Sequence, residues 1–598
     1  MTTPILSSWR RTRTTLSTCA AAAVALTACG HDSTSTAPKL TAGVSCAVAS
    51  GAATVTLGTL QTTTVDCSKG GTLFDLAGNG ASYLLVPELA VGDVPITPTT
   101  YTFGSPNATS ASMVADRVAA GSSAMQASVL QSDEGGHPAT RQRAFDARLL
   151  AANRQFARSV SRSPSFAQGS VARSVATPDV GTTRAFRVIA SADASVNTVF
   201  KTVGARLAYV GTNVLLYVDT LTASDGFATG DLSGIGDLFD KTLYPIDVAA
   251  FGQPSDIDQN GHLIMLMTPV VNALVTAADC NTGGFIAGFF TGFDVASTST
   301  NSNQGEVFYT IAPDPAGVSS CAHTVSEIER TVPATFLHEV QHLINFTQHV
   351  IVHRGSDGEE GWLDEGLSIV AEELGSRYYE KKFPSPSGRT NPLQLFPDSS
   401  QGFIGGLLAD SYSFLLQPDT ATVTLHSDSD LGLAWRGSVW LLARWLGDLK
   451  GEDVYKRLEA TALTGTTNIE AATGEPFPKL FGDFGIALYA DSIVGVARTL
   501  VPQRDRFVTR NLRQMYAALF RAAGGSPNVP RAFPIVTRSV TATQAVTASM
   551  MPGTVTYYRV DTPPGGASVR LQFAGASGAA LAGSLHPQVA IIRLPPGS

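Results

Sequence analysis

The sequence has no extended run of basic residues, and its net charge is −8. Little positive charge is therefore gathered to meet a phosphate backbone, which argues against a nucleic-acid partner. Beyond the N-terminus there is no apolar stretch approaching the roughly 20 residues that a membrane-spanning helix needs. Cysteine is scarce as well, six in 598 residues, so the possible disulfide pairings form a short enumeration. What the chain has in quantity is apolar residues. At 44% hydrophobic content over 598 positions it can build several domains, each with its own core.

Residues 1–28 read as a leader, with Arg10, Arg11 and Arg13 forming a positive region ahead of the apolar Leu16 to Ala28. Leu26-Thr27-Ala28-Cys29 resembles a bacterial lipobox. In that pathway Cys29 carries the lipid and the chain is anchored to the membrane without spanning it. The alternative is an ordinary cleaved signal peptide with an incidental cysteine. One route ends in the bacterial cell envelope and the other in secretion; both predict export. Residues 29–45, rich in Ser and Thr, read as a tether. Setting aside Cys19 and Cys29 leaves Cys46, Cys67, Cys280 and Cys321, which allow three connectivities. Local pairing, Cys46–Cys67 and Cys280–Cys321, keeps each bridge within one domain and fits an oxidising compartment.

The chemistry concentrates at His338-Glu339-Val340-Gln341-His342, an H-E-x-x-H pentad. Ten His and 49 acidic residues give a chance expectation of only about 0.014, so the match is informative. On a helix, residues four apart share a face, and both imidazoles can reach one tetrahedral zinc ion. Glu339, beside the first ligand, is placed to be general base toward a metal-activated water. A catalytic zinc needs a third protein ligand. Leu367, Val370, Ala371 and Leu374 predict a second helix, with Asp364 capping its start and Glu365 in its first turn as that ligand. His349 and His353 compete for the same role, but His353 lies in a polar loop-like stretch.

His338-Glu-Val-Gln-His342-Leu-Ile-Asn-Phe346, followed by Trp362-Leu-Asp-Glu365-Gly-Leu-Ser, resembles the hyicolysin family of secreted bacterial metallopeptidases, and more distantly the gluzincins at large. The likeness is specific over about 325–375 and looser over roughly 185–525. It implies His338, His342 and Glu365 as zinc ligands, Glu339 as catalytic base, and protein or peptide substrates. It also implies an α+β, zincin or thermolysin-like, two-lobed fold. The sequence departs from the thermolysin-like pattern at Ile369, where those enzymes carry an Asp that orients a ligand His. Glu372, near the same helical face, is the candidate replacement.

Around this centre the chain divides into a β domain at 46–107, an Ala/Ser/Arg-rich linker or removable pro-segment at 108–182, a β-rich lobe at 183–325, a helical zinc-binding lobe at 326–525, and a second β domain at 530–598. Within 108–182, Phe145, Leu149, Ala152 and Phe156 form one helical stripe. Asp256-Ile257-Asp258-Gln259-Asn260-Gly261 offers the oxygens of Asp256, Asp258 and Asn260 around a glycine turn, as calcium loops do, but Met267 stands where an EF-hand has its twelfth-position Glu. A calcium site and an ion-free strand-entry turn both fit. By the gluzincin resemblance, either Gly283–Phe290 or Glu306–Ile311 supplies an edge strand that binds extended substrate; their apolar content equally suits buried core strands. Tyr378, Tyr379, Tyr412 and His426 are candidate donors to the transition-state oxyanion.

These features predict a zinc endopeptidase. Two rivals remain: a catalytically dead lipoprotein that binds protein or polysaccharide, and a zinc aminopeptidase. The intact Glu339 speaks against the first, and the lack of an acidic pocket motif for a free amino terminus against the second.

Overall fold

The computed structural model describes residues 44–598 except 93–96, 109, 113–139, 161–176, 194–198, 224–225, 229, 296–300, 356, 385–400, 425–431 and 492. The leader, Cys29, most of the tether and His426 lie outside the described residues. Among those described, no helix is long and apolar enough to cross a membrane.

The two terminal β segments are not separate domains. Their strands interleave in two sheets. One runs Val44–Ser45, Gly71–Leu76, Val569–Gly575, Thr99–Gly104, Ala545–Met550, Ser110–Ser112, with Thr54–Val55 also beside Gly71–Leu76. The other runs Arg538–Ser539, Tyr558–Asp561, Ser82–Leu89, Pro587–Arg593, Thr62–Asp66, Ala47–Val48. The physical reason is ladder satisfaction. Ser82–Leu89 has both its neighbours in the C-terminal segment, so neither segment alone pairs its backbone groups.

Period-two alternation then divides the side chains of the second sheet. Tyr83, Leu85, Val589 and Ile591 enter the core between the sheets, while Leu84, Val86, Ala590 and Ile592 join the larger core of the molecule. Burial on both faces explains why Val589 to Ile592 is an unbroken apolar run. Across the inner core the hydroxyls of Tyr101 and Tyr558 meet at 2.8 Å. The Cys46–Cys67 disulfide lies in this unit, and Cys280–Cys321 lies in the central region.

The central region begins with helix α1 (Thr140–Val160), which packs Phe145, Leu149 and Ala157 into the large core instead of bridging domains as a linker. A six-stranded sheet follows, made of β1 (Thr183–Ile189), β2 (Phe200–Val210), β3 (Val214–Asp219), β4 (Leu263–Met267), β5 (Gly288–Phe290) and β6 (Val307–Thr310), in the order β5-β6-β4-β3-β2-β1. The two inner pairings β3–β4 and β4–β6 are parallel, and β5 closes one edge antiparallel to β6. Of the two candidate edge segments, therefore, 288–290 is the edge and 307–310 is interior.

Helices dominate the rest: α2 (Val325–Phe346), α3 (Gly361–Lys382), α4 (Gln401–Leu416), α5 (Leu433–Lys450) and α6 (Phe477–Ala490). Thr324 caps α2 by accepting from the Glu327 N–H. The chain leaves α2 through a π-helical turn, Thr347–Val352, which shortens the loop expected between the two helices. Helix α6 packs on the outer face of the second terminal sheet, where a Cβ on Gly485 would come within 2.7 Å of Glu88 Oε1. The architecture is mixed α+β.

Candidate metal centre

Helix α2 is buried on every side from Phe336 to Phe346, so it runs through the core and carries its two histidines inside with it. The side chains of His338 and His342 point toward α3, which crosses alongside. Their Nε2 atoms lie 3.1 Å apart. Glu365 Oε2 is 3.7 Å from the Nε2 of His338 and 3.6 Å from that of His342. Zinc bonds of about 2.0–2.1 Å define a tetrahedron with edges of about 3.3 Å. The three separations bracket that edge, so these donors fit three corners of a tetrahedral zinc site.

The backs of both imidazoles are held by carboxylates. His338 Nδ1 lies 2.8 Å from Glu372 Oε1, and His342 Nδ1 lies 2.8 Å from Asp364 Oδ1. Each ring is thereby turned so that Nε2 faces the site. Asp364 was expected to cap α3. The helix instead starts at Gly361, which puts Asp364 in the first turn with its side chain on His342 and moves Glu365 one step further in. Ile369, where thermolysin-like enzymes have their Asp, is wholly buried in the core.

Helix α5 brings Arg436. Its Nη1 donates to Glu365 Oε1, leaving Oε2 for the site, and its Nη2 donates to Glu372 Oε1 at 3.4 Å. Arg436 Nε is 3.6 Å from Asp410 on α4. The close approach depends on Gly437, where a Cβ would sit 2.3 Å from the Asp410 backbone.

The electrostatics favour a cation. Burial alone would lower both histidines, but Glu365 and Glu372 push His338 up to about 10. Asp364 and Glu365 likewise raise His342 well above its ordinary value. Burial opposes ionisation of Glu365, yet Arg436 and the imidazoles hold it well below the usual carboxylate range. A pocket that draws positive charge onto imidazoles this strongly is one a divalent cation would relieve.

Glu339 is buried beside the two histidines. Its Oε2 accepts from the Phe290 N–H of edge strand β5 at 3.0 Å, and its Oε1 makes no hydrogen bond. Burial raises its pKa, against the pull of both imidazoles. Asp146 of α1 brings a carboxylate oxygen to within 4.8 Å of donor atoms of both His338 and Glu339.

The remaining candidates fall elsewhere. His349 is buried with Glu359 and Glu459 at 3.9 and 3.7 Å, outside the cluster of donors. The Tyr412 hydroxyl is committed to Arg531, donating to its carbonyl and accepting from its N–H. At the acidic loop, Asn260 turns its amide to Asp258 and to the His262 N–H. The third carboxylate within 4.8 Å of Asp256 and Asp258 is Glu306. Glu306 is buried, accepts from the Ile257 N–H through Oε1, and leaves Oε2 without a partner.

Sequence reasoning missed Arg436, Asp146 and Glu306 because each reaches its site from 40 to 200 positions away with no spacing rule to reveal it. For Asp146 a signal existed: Gln142, Asp146 and Asn153 are polar residues set into the apolar stripe of α1.

No family model matches the chain. Over 171 residues it is 29% identical to the neutral metalloprotease ShpI of Staphylococcus hyicus. Part of this chain is similar to a metalloprotease. The similarity covers 28% of this chain and 36% of the relative, so the chain spans little more than a third of the protein it matches.

Proposed function

We propose that the protein is a zinc-dependent endopeptidase of the gluzincin type, two-lobed, exported, and held at the cell envelope by lipid on Cys29. The observation that carries this is the triangle of donors, His338 Nε2, His342 Nε2 and Glu365 Oε2, with sides of 3.1, 3.6 and 3.7 Å. The similarity to ShpI supports metal-dependent proteolysis and protein or peptide substrates.

Zinc at this triangle supplies Lewis acidity, lowering the pKa of a bound water toward about 7 and polarising a carbonyl. Glu339 takes the proton from the attacking water through its unbonded Oε1 and returns it to the leaving amine. Glu372 and Asp364 fix the two rings, and Arg436 fixes Glu365.

Asp256, Asp258 and Glu306 form a calcium site in this reading, with Glu306 in the place first given to Asn260. The unpartnered buried Oε2 of Glu306 supports it, because a buried carboxylate oxygen without a partner is costly unless a cation meets it.

The test is metal analysis of the purified exported form beside Glu365→Ala, followed by casein hydrolysis with and without chelator. The parent is expected to hold one zinc, and Glu365→Ala to lose it. Glu339→Gln is expected to keep the zinc and lose about 10²–10⁴ of the rate. Full zinc in Glu365→Ala, or parental activity in Glu339→Gln, would overturn the reading. Cleavage of N-blocked peptides excludes the aminopeptidase alternative, and zinc retention without any hydrolysis favours the binding lipoprotein.

A further inference from the structure

The Cys280–Cys321 disulfide has a buried histidine set against it. Cys280 sits on the short helix Ala277–Gly283, and Cys321 on the loop that leads into α2. That loop is closed at its neck by Asp314 and His323, whose backbones bond in both directions at 2.8 and 2.9 Å. His323 is wholly buried, with the Phe285 ring edge-on at 4.4 Å. Its Nε2 lies 3.5 Å from Cys321 Sγ, and one donor atom from each of Cys280, Cys321 and His323 lies within 4.8 Å of the others. Its Nδ1 makes no hydrogen bond; Glu327 Oε2, in the first turn of α2, stands 3.7 Å away.

Sulfur is a weak hydrogen-bond acceptor. While the sulfurs are bonded to each other, this imidazole is buried with neither nitrogen well satisfied, which is costly. Opening the disulfide changes what the three side chains can do. Tetrahedral zinc, with bonds of about 2.3 Å to sulfur and 2.0–2.1 Å to nitrogen, has an N–S edge of about 3.6 Å. That is close to the spacing already present between Cys321 and His323. The S–S edge is about 3.8 Å, which rotation of the freed side chains can supply. Two thiolates cancel the charge of a divalent cation, so the filled site is neutral and suits burial. Glu327 stands behind His323 much as Glu372 and Asp364 stand behind His338 and His342.

We propose that Cys280, Cys321 and His323 are a second metal site, separate from the His338–His342–Glu365 triangle, which takes a thiophilic divalent cation such as zinc when the disulfide is reduced. A dithiol reductant passes two electrons and two protons to the disulfide and leaves as its own disulfide. The two cysteine thiols then bind the cation and release two protons, and His323 binds as neutral imidazole. The entry of α2 is thereby tied to the helix at 277–283 in either redox state, by the S–S bond or by the metal.

The purified exported protein is titrated anaerobically with cobalt, before and after reduction by a phosphine that is removed first. The triangle contains no sulfur, so a sulfur-to-cobalt charge-transfer band reports thiolates alone. The oxidised parent should lack the band, and the reduced parent should gain it with one further cobalt per chain. Cys321→Ser should abolish it. Glu327→Gln should weaken this cobalt about 10–100-fold, and His323→Ala by more. Thermal melting of each oxidised variant checks folding, and His323→Gln gives the same readout should His323→Ala not fold. The double variant Cys46→Ser/Cys67→Ser should keep the band, as should His338→Ala, which disables the triangle; the site therefore stands or falls apart from the catalytic reading. No band in the reduced parent, an equal band and affinity in the His323 variants, or a band lost with Cys46 and Cys67 would overturn it.

Discussion

The β unit built from the two chain termini and the helical region that holds the metal triangle bury very different things. Between the terminal sheets the core is Val55, Leu76, Leu85, Phe103, Leu571, Phe573, Ile591 and similar residues, with the hydroxyls of Tyr101 and Tyr558 bonded to each other among them. The helical region buries charge. Glu373 sits wholly inside, bonded to Arg510 Nε at 2.5 Å and Trp440 Nε1 at 3.2 Å, with Arg444 3.7 Å away. Around the candidate metal centre Glu339, Asp364, Glu365, His338 and His342 are all buried too. Apolar packing is tolerant and non-directional, so it suits a scaffold. Holding three donors on one point requires directional contacts, and buried ionic networks supply direction at a cost in desolvation.

That contrast can be broken by substitution. Glu373→Gln leaves Arg510 and Arg444 short of a buried counter-charge and is expected to cost about 3–5 kcal/mol, the usual result of removing one partner from a buried pair. Chemical denaturation measures it, and a loss below about 1 kcal/mol would show that the network is solvated. Leu571→Ala, in the terminal core, is expected to cost about 2–5 kcal/mol with the kcat of the remaining folded protein unchanged. Because the second terminal sheet also packs on α6, both variants should unfold in a single transition; two separate transitions in calorimetry would contradict the shared core.

Smaller effects sharpen the comparison. Glu372→Gln frees one ring of the metal triangle and should weaken zinc about 10–100-fold by competition with a chelator, with little change in thermal stability of the zinc-loaded protein. The least pronounced effect is a slope in pH. Burial pushes Glu359 up to about 8, with hydrogen bonds from Gly465 and Asn468 only partly offsetting it. Unfolded, it ionises near 4.5, so the folded state keeps a proton the unfolded chain has lost. Stability from this group is full below pH 4.5 and is lost as the pH rises toward 8. The thermal midpoint should fall over that interval, and fall less steeply in Glu359→Gln; equal slopes would remove Glu359 as the cause.

Short-range patterns were legible before the fold was known. The H-E-x-x-H pentad and Glu365 came together as spacing requires, because four residues on a helix always share a face. The stripe of α1 forms its helix, and the apolar runs at 83–86 and 589–592 form strands. What misled was assigning partners to neighbours in sequence. Two β segments that look alike and lie over 400 residues apart are one unit, since hydrogen bonding along a strand carries no record of which strand lies beside it. Asp364 passed for a cap because an acid near a helix start is ordinarily one, and only the crossing of α3 over α2 turns it onto His342.

By itself, then, the sequence determined the local chemistry of this protein: two imidazoles and a base on one turn of helix, a carboxylate on the next helix, and the periodicities that make each element. Those properties follow from backbone geometry within a few residues. Tertiary structure decided what surrounds them. Arg436 against Glu365, Glu306 beside Asp256 and Asp258, and Asp146 beside His338 and Glu339 all come from distant parts of the chain. Their positions depend on how whole elements pack, and packing is set by the sum of many weak, non-local contacts that no short stretch of sequence contains.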